Sequence, residues 1–166
     1  DPEKDSTVGG SLVSPNNGGA TNWPPPAYSP DTGLFYVPSN DAYAMYYLTE
    51  TDPRGAMGLG GKEEDGLVSL GSYLTAIDYK TGKIAWRHRY PGTSGNLAAG
   101  LLTTAGKLLF AGDIAGNLIA YDPANGHILW HSHIGQVTNA PETYMLDGHQ
   151  YVLSAAGDTL YAFTLY

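Results

Sequence analysis

The chain of 166 residues contains no cysteine, so disulfide staples and thiolate metal sites are excluded within it. Basic residues are also few: 8 Lys and Arg stand against 16 Asp and Glu, which gives a formal net charge of −8. A nucleic-acid-binding surface normally carries a basic stripe, and this sequence has none. No apolar run approaches the roughly 20 residues that a membrane-spanning helix needs. The composition therefore argues against a nucleic-acid partner and against a membrane span.

What the chain has instead is an abundance of turn formers and aromatic residues. It contains 22 Gly, 11 Pro and 13 Tyr, and few of its segments are long enough for helices. This composition is typical of a β protein with many short strands. At 166 residues the chain has the size of one ordinary domain and can bury a sizeable core.

One pattern occurs twice: Ala, any residue, Asp, three residues, Gly, three residues and Trp. Its members are Ala76, Asp78, Gly82 and Trp86 in the first copy, and Ala120, Asp122, Gly126 and Trp130 in the second. The offset is 120 − 76 = 44 residues, within the range of four-stranded propeller blades. A truncated third copy at 160–164 repeats residues 118–122 after 42 residues. The repeat predicts a series of similar β units.

Each residue type in the repeat has a structural role that explains its position. The Asp can accept backbone N–H groups of the following turn, and the Gly supplies a positive φ without steric cost. A Trp at the end of an outer strand can lie flat against the neighbouring sheet, where only a small residue such as Ala leaves room. An aromatic side chain placed so buries on the order of 150–250 Å². We therefore expect the sheets to follow one another face to face around an axis, as propeller blades do.

The predicted architecture is an all-β partial propeller, with residues 1–166 forming one domain of three units. These units are 22–90, 96–133 and 137–166, with four, four and three strands, so that the last unit lacks its outer strand. The first unit is interrupted by 39–72, a segment without clear periodicity, and long loops of this kind are usually functional or disordered. Residues 1–21 are expected to be mostly extended or mobile. The start Asp1-Pro2-Glu3-Lys4 is not a signal peptide, and we expect the chain to be a piece of a larger protein.

Together with three further stretches, the repeat resembles the tryptophan-docking motifs of quinoprotein alcohol dehydrogenases. These stretches are 22–38 (NWPPPAYSPDTGLFYVP), 102–106 (LTTAG) and 139–144 (NAPETY). In order, they look like the last three blades of such an eight-bladed propeller, over roughly residues 18–164. The resemblance implies a periplasmic enzyme that uses pyrroloquinoline quinone (PQQ) with Ca²⁺ or a lanthanide ion to oxidise an alcohol or a sugar-like carbinol. It also implies closure of the propeller by pairing of the N-terminal strand into the last blade, which hides an exposed edge.

The resemblance also implies which residues meet the cofactor. In the family, the Asn that opens the Asn-x-x-Pro stretch approaches the quinone, so Asn22 is carried over, and Trp23 and Asn139 are the further cofactor-binding candidates. The family's catalytic Asp and its metal ligands lie in earlier blades, so we expect catalytic residues outside this chain and no activity from the chain alone. Many members have Trp-Gly-Gly where this chain has Ala98-Ala99-Gly100, and Gly-Gly-Trp where it has Ala156-Gly157-Asp158. These changes remove aromatic bulk near the cofactor and leave the substrate open.

Strand parity gives an argument that does not depend on the family. Strands within a blade run alternately up and down, so the links between blades and every second turn share one face. Asn22, Trp23, residues 39–72 and residues 136–139 fall on that face, and we expect the site there. The turns at 80–82 and 124–126 fall on the opposite face and have structural roles.

Other candidate motifs have simpler explanations. His131 and His133 share a strand face at metal-compatible spacing, but no third ligand lies nearby in sequence. Gly60-Gly61-Lys62 precedes Glu63, where a phosphate-binding loop needs Ser or Thr. Asp113 is expected to form a turn, with ligation as its alternative role.

Two functions remain open at this stage. The first is the C-terminal segment of a PQQ-dependent dehydrogenase, contributing one wall of the quinone site. The alternative is a non-catalytic propeller module for binding or scaffolding. The expected partners are the remaining blades of the parent chain, or a second copy that associates through open strand edges.

Overall fold

The computed structural model of the chain describes residues 10–47, 62–91 and 99–165. These residues form β-strands joined by turns and contain no helix, so the predicted all-β fold is confirmed. The strands are β1 (Ser11–Val13), β2 (Ala27–Ser29), β3 (Leu34–Tyr47), β4 (Lys62–Asp78), β5 (Ile84–Arg89), β6 (Leu101–Thr104), β7 (Leu108–Gly112), β8 (Asn117–Tyr121), β9 (Ile128–His133), β10 (Glu142–Leu146), β11 (His149–Ala156) and β12 (Thr159–Thr164).

The strands make three antiparallel sheets in chain order. In the first sheet β2, β3, β4 and β5 are successive neighbours, and β1 pairs with the far end of β3. The second sheet has the order β6-β7-β8-β9 and the third the order β10-β11-β12. Every pairing is antiparallel, as expected for a chain that runs up and down within each unit.

The segment 39–72 differs from the expected long loop. Residues 39–47 continue β3 and residues 62–72 belong to β4, so both strands run on past the rest of their sheet as a hairpin. The pairing slips between Asp41 and Ala42 and again between Tyr43 and Met45. Such irregularities shift side chains from one face to the other, which erases the two-residue alternation that marks a strand in sequence. Residues 48–61, including Gly60 and Gly61, lie outside the described part, as do 1–9 and 92–98.

Successive sheets bury apolar side chains between their faces. The first two sheets share one core cluster. The first unit contributes Leu34, Tyr36, Leu74, Ala76 and Tyr90, and the second contributes Leu101, Leu109, Ala111, Ile119 and Tyr121. A smaller cluster of Ala99, Val137 and Ala156 lies between the second and third sheets. The hydrophobic effect therefore holds the sheets in series, each packed on the next.

The two turns of the repeat are built from their Asp and Gly residues. The Oδ1 atom of Asp78 accepts the N–H groups of Lys80 and Thr81, both at 2.9 Å. These backbone hydrogen bonds, that from Thr81 most strongly, lower the pKa of the Asp78 carboxyl. Asp122 accepts the Ala124 N–H at 2.8 Å in the corresponding turn. Gly82 and Gly126 close the two turns with φ of 67° and 74°.

Trp86 reaches from β5 to the β8–β9 turn of the second sheet. Its Nε1–H donates to the carbonyl oxygen of Pro123 at 3.0 Å, and the Tyr36 hydroxyl donates to the same oxygen at 2.9 Å. A Cβ built on Gly126 would lie 2.7 Å from the indole ring. The small residue that admits the ring in the neighbouring sheet is thus Gly126. The repeat predicts an Ala of the neighbouring sheet in this role, which for Trp86 is Ala120. In the structure Ala120 is the cross-strand partner of Trp130 within the second sheet, as Ala76 is of Trp86 within the first.

Trp130, the second Trp of the repeat, has a different environment. Its ring centroid lies 5.3 Å from that of Phe163 in the third sheet, edge to face, and 40% of the side chain remains exposed. It borders an apolar cavity of about 610 Å³ between the second and third sheets, which Ala120 also lines. Trp86 is only partly exposed whereas Trp130 is exposed, so the two copies contribute unequally to sheet packing.

His88 lies in a partly polar cluster between the first two sheets. Its ring centroid is 5.1 Å from that of Tyr121 and 6.2 Å from that of Tyr90. The hydroxyls of both tyrosines are buried and have no hydrogen-bond partner among the described residues, and burial raises the pKa of each. Burial lowers the pKa of His88 below its usual value near 6.5, and the buried Asp113 carboxylate opposes that shift.

The His88 environment gives a testable pH dependence. Because the folded chain binds the proton at a lower pH than the unfolded chain, the stability that neutral His88 contributes is present above about pH 6.5 and is lost as the pH falls through the lowered pKa. Urea denaturation at pH 7.5 and pH 5 should show a smaller loss of stability for His88→Phe than for the unmodified chain. The exposed His127 provides the matched control, His127→Phe. Equal losses in the His88 variant and the unmodified chain would refute this assignment.

Candidate functional site

Three segments that lead into the sheets meet on one face of the molecule. They are 22–26 before β2, 99–100 before β6 and 137–141 before β10, and the alternating strand directions put all three on the same face. The β7–β8 turn and the β11–β12 turn lie on this face too. We call it the site face. The turns that hold Gly82, Gly106 and Gly126 lie on the opposite face.

Gly100 is the point at which the three segments touch. A Cβ built on Gly100 would lie 2.5 Å from Cδ of Pro25 and 2.7 Å from Cβ of Ala140. The N–H of Leu101 donates to the Pro25 carbonyl oxygen at 3.0 Å. Because Pro25 follows Asn22 and Trp23 closely, and Ala140 follows Asn139, the junction brings the predicted cofactor-binding segments to one place.

The side chain of Asn22 is held in a local loop. Its Nδ2 donates to the Gly18 carbonyl oxygen at 2.9 Å, and its Oδ1 accepts the Trp23 N–H at 2.8 Å. A neutral amide has two N–H donors, so one remains for a ligand. Both side chains face solvent, and 69% of Trp23 is exposed. The chain therefore presents an amide donor and a largely exposed indole at consecutive positions.

Asn139 is exposed as well, and the segment that carries it is anchored at both ends. Val137 forms an isolated β-bridge with Ala156, and its Cβ lies 2.4 Å from a Cβ built on Gly112. Ala140 contacts Gly100. Asn139 is thus fixed between two close contacts while its own amide stays accessible.

Asp113 has a structural environment in the β7–β8 turn. Its Oδ1 accepts the backbone N–H of Asn117 at 2.7 Å, and its Oδ2 accepts the Asn117 side-chain amide at 2.9 Å. The side chain is 2% exposed. Both carboxylate oxygens are therefore occupied in closing the turn, which matches the expected turn role.

No group of three or more His, Cys, Asp or Glu side chains that could hold a metal ion occurs among the described residues. His131 and His133 lie two residues apart on β9 and are exposed. The part of the chain described here also contains no helix long and apolar enough to cross a membrane.

Sequence reasoning missed the two glycines that organise this face. Gly100 and Gly112 have ordinary backbone φ, so space and not conformation requires them. The available signal was a Gly at a strand end, which often marks a close approach of another chain segment. The partner segments, however, lie about 25 to 75 residues away, and the sequence alone does not connect them.

Comparison with known proteins shows which families and proteins the chain resembles. The family model PQQ_2, described as outer membrane protein assembly factor BamB, matches residues 70–165. The chain is 39% identical over 163 residues to the 1-butanol dehydrogenase (quinone) of Thauera butanivorans, covering 94% of this chain and 25% of that protein. It is 39% identical over 155 residues to the quinoprotein alcohol dehydrogenase PedH of Pseudomonas putida, covering 88% and 25%.

Solved structures agree with the sequence comparison. The quinohemoprotein alcohol dehydrogenase ADHIIG from Pseudomonas putida HK5 matches with a TM-score of 0.77 and 31% identity, over 96% of this chain and 26% of that one. The quinohemoprotein alcohol dehydrogenase from Comamonas testosteroni matches with a TM-score of 0.75 and 31% identity, over 89% and 24%. A europium-containing methanol dehydrogenase matches with a TM-score of 0.73 and 29% identity, over 89% and 26%. The chain spans about a quarter of the length of these relatives.

Proposed function

Because the chain belongs to the family of quinoprotein alcohol dehydrogenase-like β-propellers matched by the PQQ_2 model, we propose that it is the C-terminal segment of a PQQ-dependent dehydrogenase. In that enzyme it contributes one wall of the quinone site, and the other blades of the parent chain complete the propeller. The substrate class is an alcohol or a sugar-like carbinol, and the compartment is the periplasm. The observation that carries the proposal is the junction at Gly100, which gathers the Asn22–Trp23 and Asn139 segments on one face.

The residues present fit one side of such a cofactor. PQQ is a planar quinone that carries carboxylates, and it supplies the capacity to take up a hydride equivalent from the alcohol carbon. The free N–H of Asn22 and the amide of Asn139 are suited to donate to its oxygens, and the exposed Trp23 indole offers an apolar face to a flat ring. The Ca²⁺ or lanthanide ion would take its ligands from outside the described residues.

A binding or scaffolding propeller is the second candidate, favoured by the BamB description of the matching family model. That match begins at residue 70 and leaves out the 22–38 stretch. The 1-butanol dehydrogenase relative matches over 94% of the chain, and a match of that extent must reach into the 22–38 stretch. The difference in extent supports the enzyme over the scaffold.

The direct test is reconstitution of the longest natural form of the protein with PQQ, Ca²⁺ or a lanthanide ion, and a series of alcohols. Reduction of an artificial electron-accepting dye is expected with at least one primary alcohol. Bound quinone without dye reduction for any alcohol would favour the scaffold, as would failure to bind quinone.

Asn22 supplies a more local test in the same protein. Asn22→Ala is expected to weaken PQQ binding about tenfold, because a hydrogen bond to a charged ligand contributes about 1.5 kcal/mol. The melting temperature should change little, since the side chain is exposed. Quenching of tryptophan fluorescence during PQQ titration measures the affinity. Asn125→Ala, an exposed asparagine on the opposite face, is the control, and equal affinity in both variants would remove Asn22 from the site.

A further inference from the structure

We propose that Gly100 is a positioning residue of the quinone site, one that sets the distance between the two asparagine-bearing segments by leaving room for Pro25 and Ala140 to meet. The inference rests on the proposed function and extends it to a residue that does not itself touch the cofactor. Its basis is the packing around Gly100, together with the hydrogen bonds and packing contacts that hold the three segments in place.

The space at Gly100 is filled from two sides. A Cβ there would lie 2.5 Å from Cδ and 2.6 Å from Cγ of Pro25, and 2.7 Å from Cβ of Ala140. Separations below 3.0 Å between carbon atoms cannot be tolerated, so a methyl group at this position forces movement. Neither neighbour is the end of a flexible chain: one is a proline ring and the other is a methyl on the backbone. The backbone segments themselves would have to separate.

The Pro25 side of the junction is tied to the second sheet by two hydrogen bonds. The Leu101 N–H donates to the Pro25 carbonyl oxygen at 3.0 Å, and the Thr103 hydroxyl donates to the Tyr28 carbonyl oxygen at 2.8 Å. Ala99 and Leu101, on either side of Gly100, are both buried. The strand that carries Gly100 is therefore fixed, and a larger residue would push the 22–25 segment outward.

The Ala140 side is tied to the second sheet by apolar packing. Val137 packs against Gly112 and Ala99, and it bridges to Ala156 of the third sheet. Asn139 lies between this anchor and the contact of Ala140 with Gly100. Expansion at Gly100 would displace Pro25 and Ala140, and with them the segments that carry Asn22 and Asn139. Misplacement of site groups by about 1 Å can reduce the rate of a reaction about a hundredfold.

The test uses the longest natural form of the protein and three variants. Gly100→Ala is expected to weaken PQQ binding at least tenfold at a temperature where the protein is folded. Adding Ala140→Gly, which removes one of the two clashing methyl groups, is expected to recover part of that loss. Gly106→Ala is the matched control, because it lies at the other end of β6, has no positive φ, and would meet only Thr104 Oγ1 at 3.7 Å.

The outcomes separate this inference from the proposed function. Wild-type affinity in Gly100→Ala, or equal losses in Gly100→Ala and Gly106→Ala, would overturn the positioning role. If Gly100→Ala does not fold, Ala140→Gly alone is measured: it loosens the junction, so weaker PQQ binding with an unchanged melting temperature supports the role, and unchanged affinity overturns it. If the unmodified protein binds no PQQ, the proposed function fails. In that case recovery of the melting temperature of Gly100→Ala by Ala140→Gly still tests the junction itself.

Discussion

Replacing Trp86 with alanine is expected to lower the free energy of unfolding by about 3 kcal/mol. The indole packs against Gly126 of the next sheet and donates a 3.0 Å hydrogen bond to the Pro123 carbonyl oxygen. The variant loses the buried apolar area, leaves a cavity between the first two sheets and removes that donor. Urea denaturation of the chain, followed by far-ultraviolet circular dichroism, measures the change. The value is at the lower end for a Trp because the ring is only partly buried.

Three further variants separate the contributions to this effect. Trp86→Phe keeps most of the apolar contact and loses the hydrogen bond, so it should cost about 1 kcal/mol beyond the loss of ring area. Trp130→Ala should cost less than Trp86→Ala, because its side chain is 40% exposed beside a cavity. Trp23→Ala should stay within about 0.5 kcal/mol of the unmodified chain, since the side chain is largely exposed. Equal losses for Trp23→Ala and Trp86→Ala would show that sheet packing does not depend on Trp86.

The second large effect is expected at Gly126, where alanine should lower the free energy of unfolding by about 2–5 kcal/mol. Two costs add. The left-handed φ of 74° disfavours a Cβ by roughly 1–2 kcal/mol. A Cβ at 2.7 Å from the Trp86 ring then overpacks the contact, which typically costs about 1–3 kcal/mol. Urea denaturation again provides the measurement.

Gly82 provides a matched control for Gly126. It has the corresponding place in the first copy of the repeat and a similar φ of 67°, but no atom of the described residues lies within 4 Å of its added Cβ. Gly82→Ala should therefore show only the conformational cost, about 1–2 kcal/mol. In the double variant Trp86→Ala with Gly126→Ala the loss should be smaller than the sum of the single losses, because the ring that clashes is gone. Additive losses would mean that ring and glycine do not interact.

The class of fold could be predicted from the sequence because its signals are local. Two copies of Ala-x-Asp-x-x-x-Gly-x-x-x-Trp at an offset of 44 residues specify similar strand–turn–strand units, and Asp and Gly specify their turns without help from distant residues. The antiparallel order of the sheets follows from short connections. These are the features for which a pattern within about twelve residues is sufficient.

The rest could not be predicted because it depends on contacts between distant segments or on irregular pairing. The register shifts near Asp41 and Tyr43 interrupt the alternation of apolar and polar residues by which a strand is recognised in sequence, so the extended hairpin was not predicted. The contact of Trp86 with Gly126 joins residues 40 positions apart, and only a defined packing of two sheets selects Gly126 over Ala120. The same holds for Gly100: its neighbours Pro25 and Ala140 come from both of the other units. Parity placed Asn22 and Asn139 on a common face, but no pattern in the sequence showed what holds them there.

A single main-chain oxygen, that of Pro123, receives both the Trp86 indole and the Tyr36 hydroxyl. Since every residue type has a carbonyl group, no substitution at position 123 can delete this acceptor. A mutation can therefore remove one of these hydrogen bonds only by replacing its donor, Trp86 on β5 or Tyr36 on β3. If either donor is lost, the other hydrogen bond still joins the first sheet to the β8–β9 turn of the second. The link between these two sheets is therefore redundant.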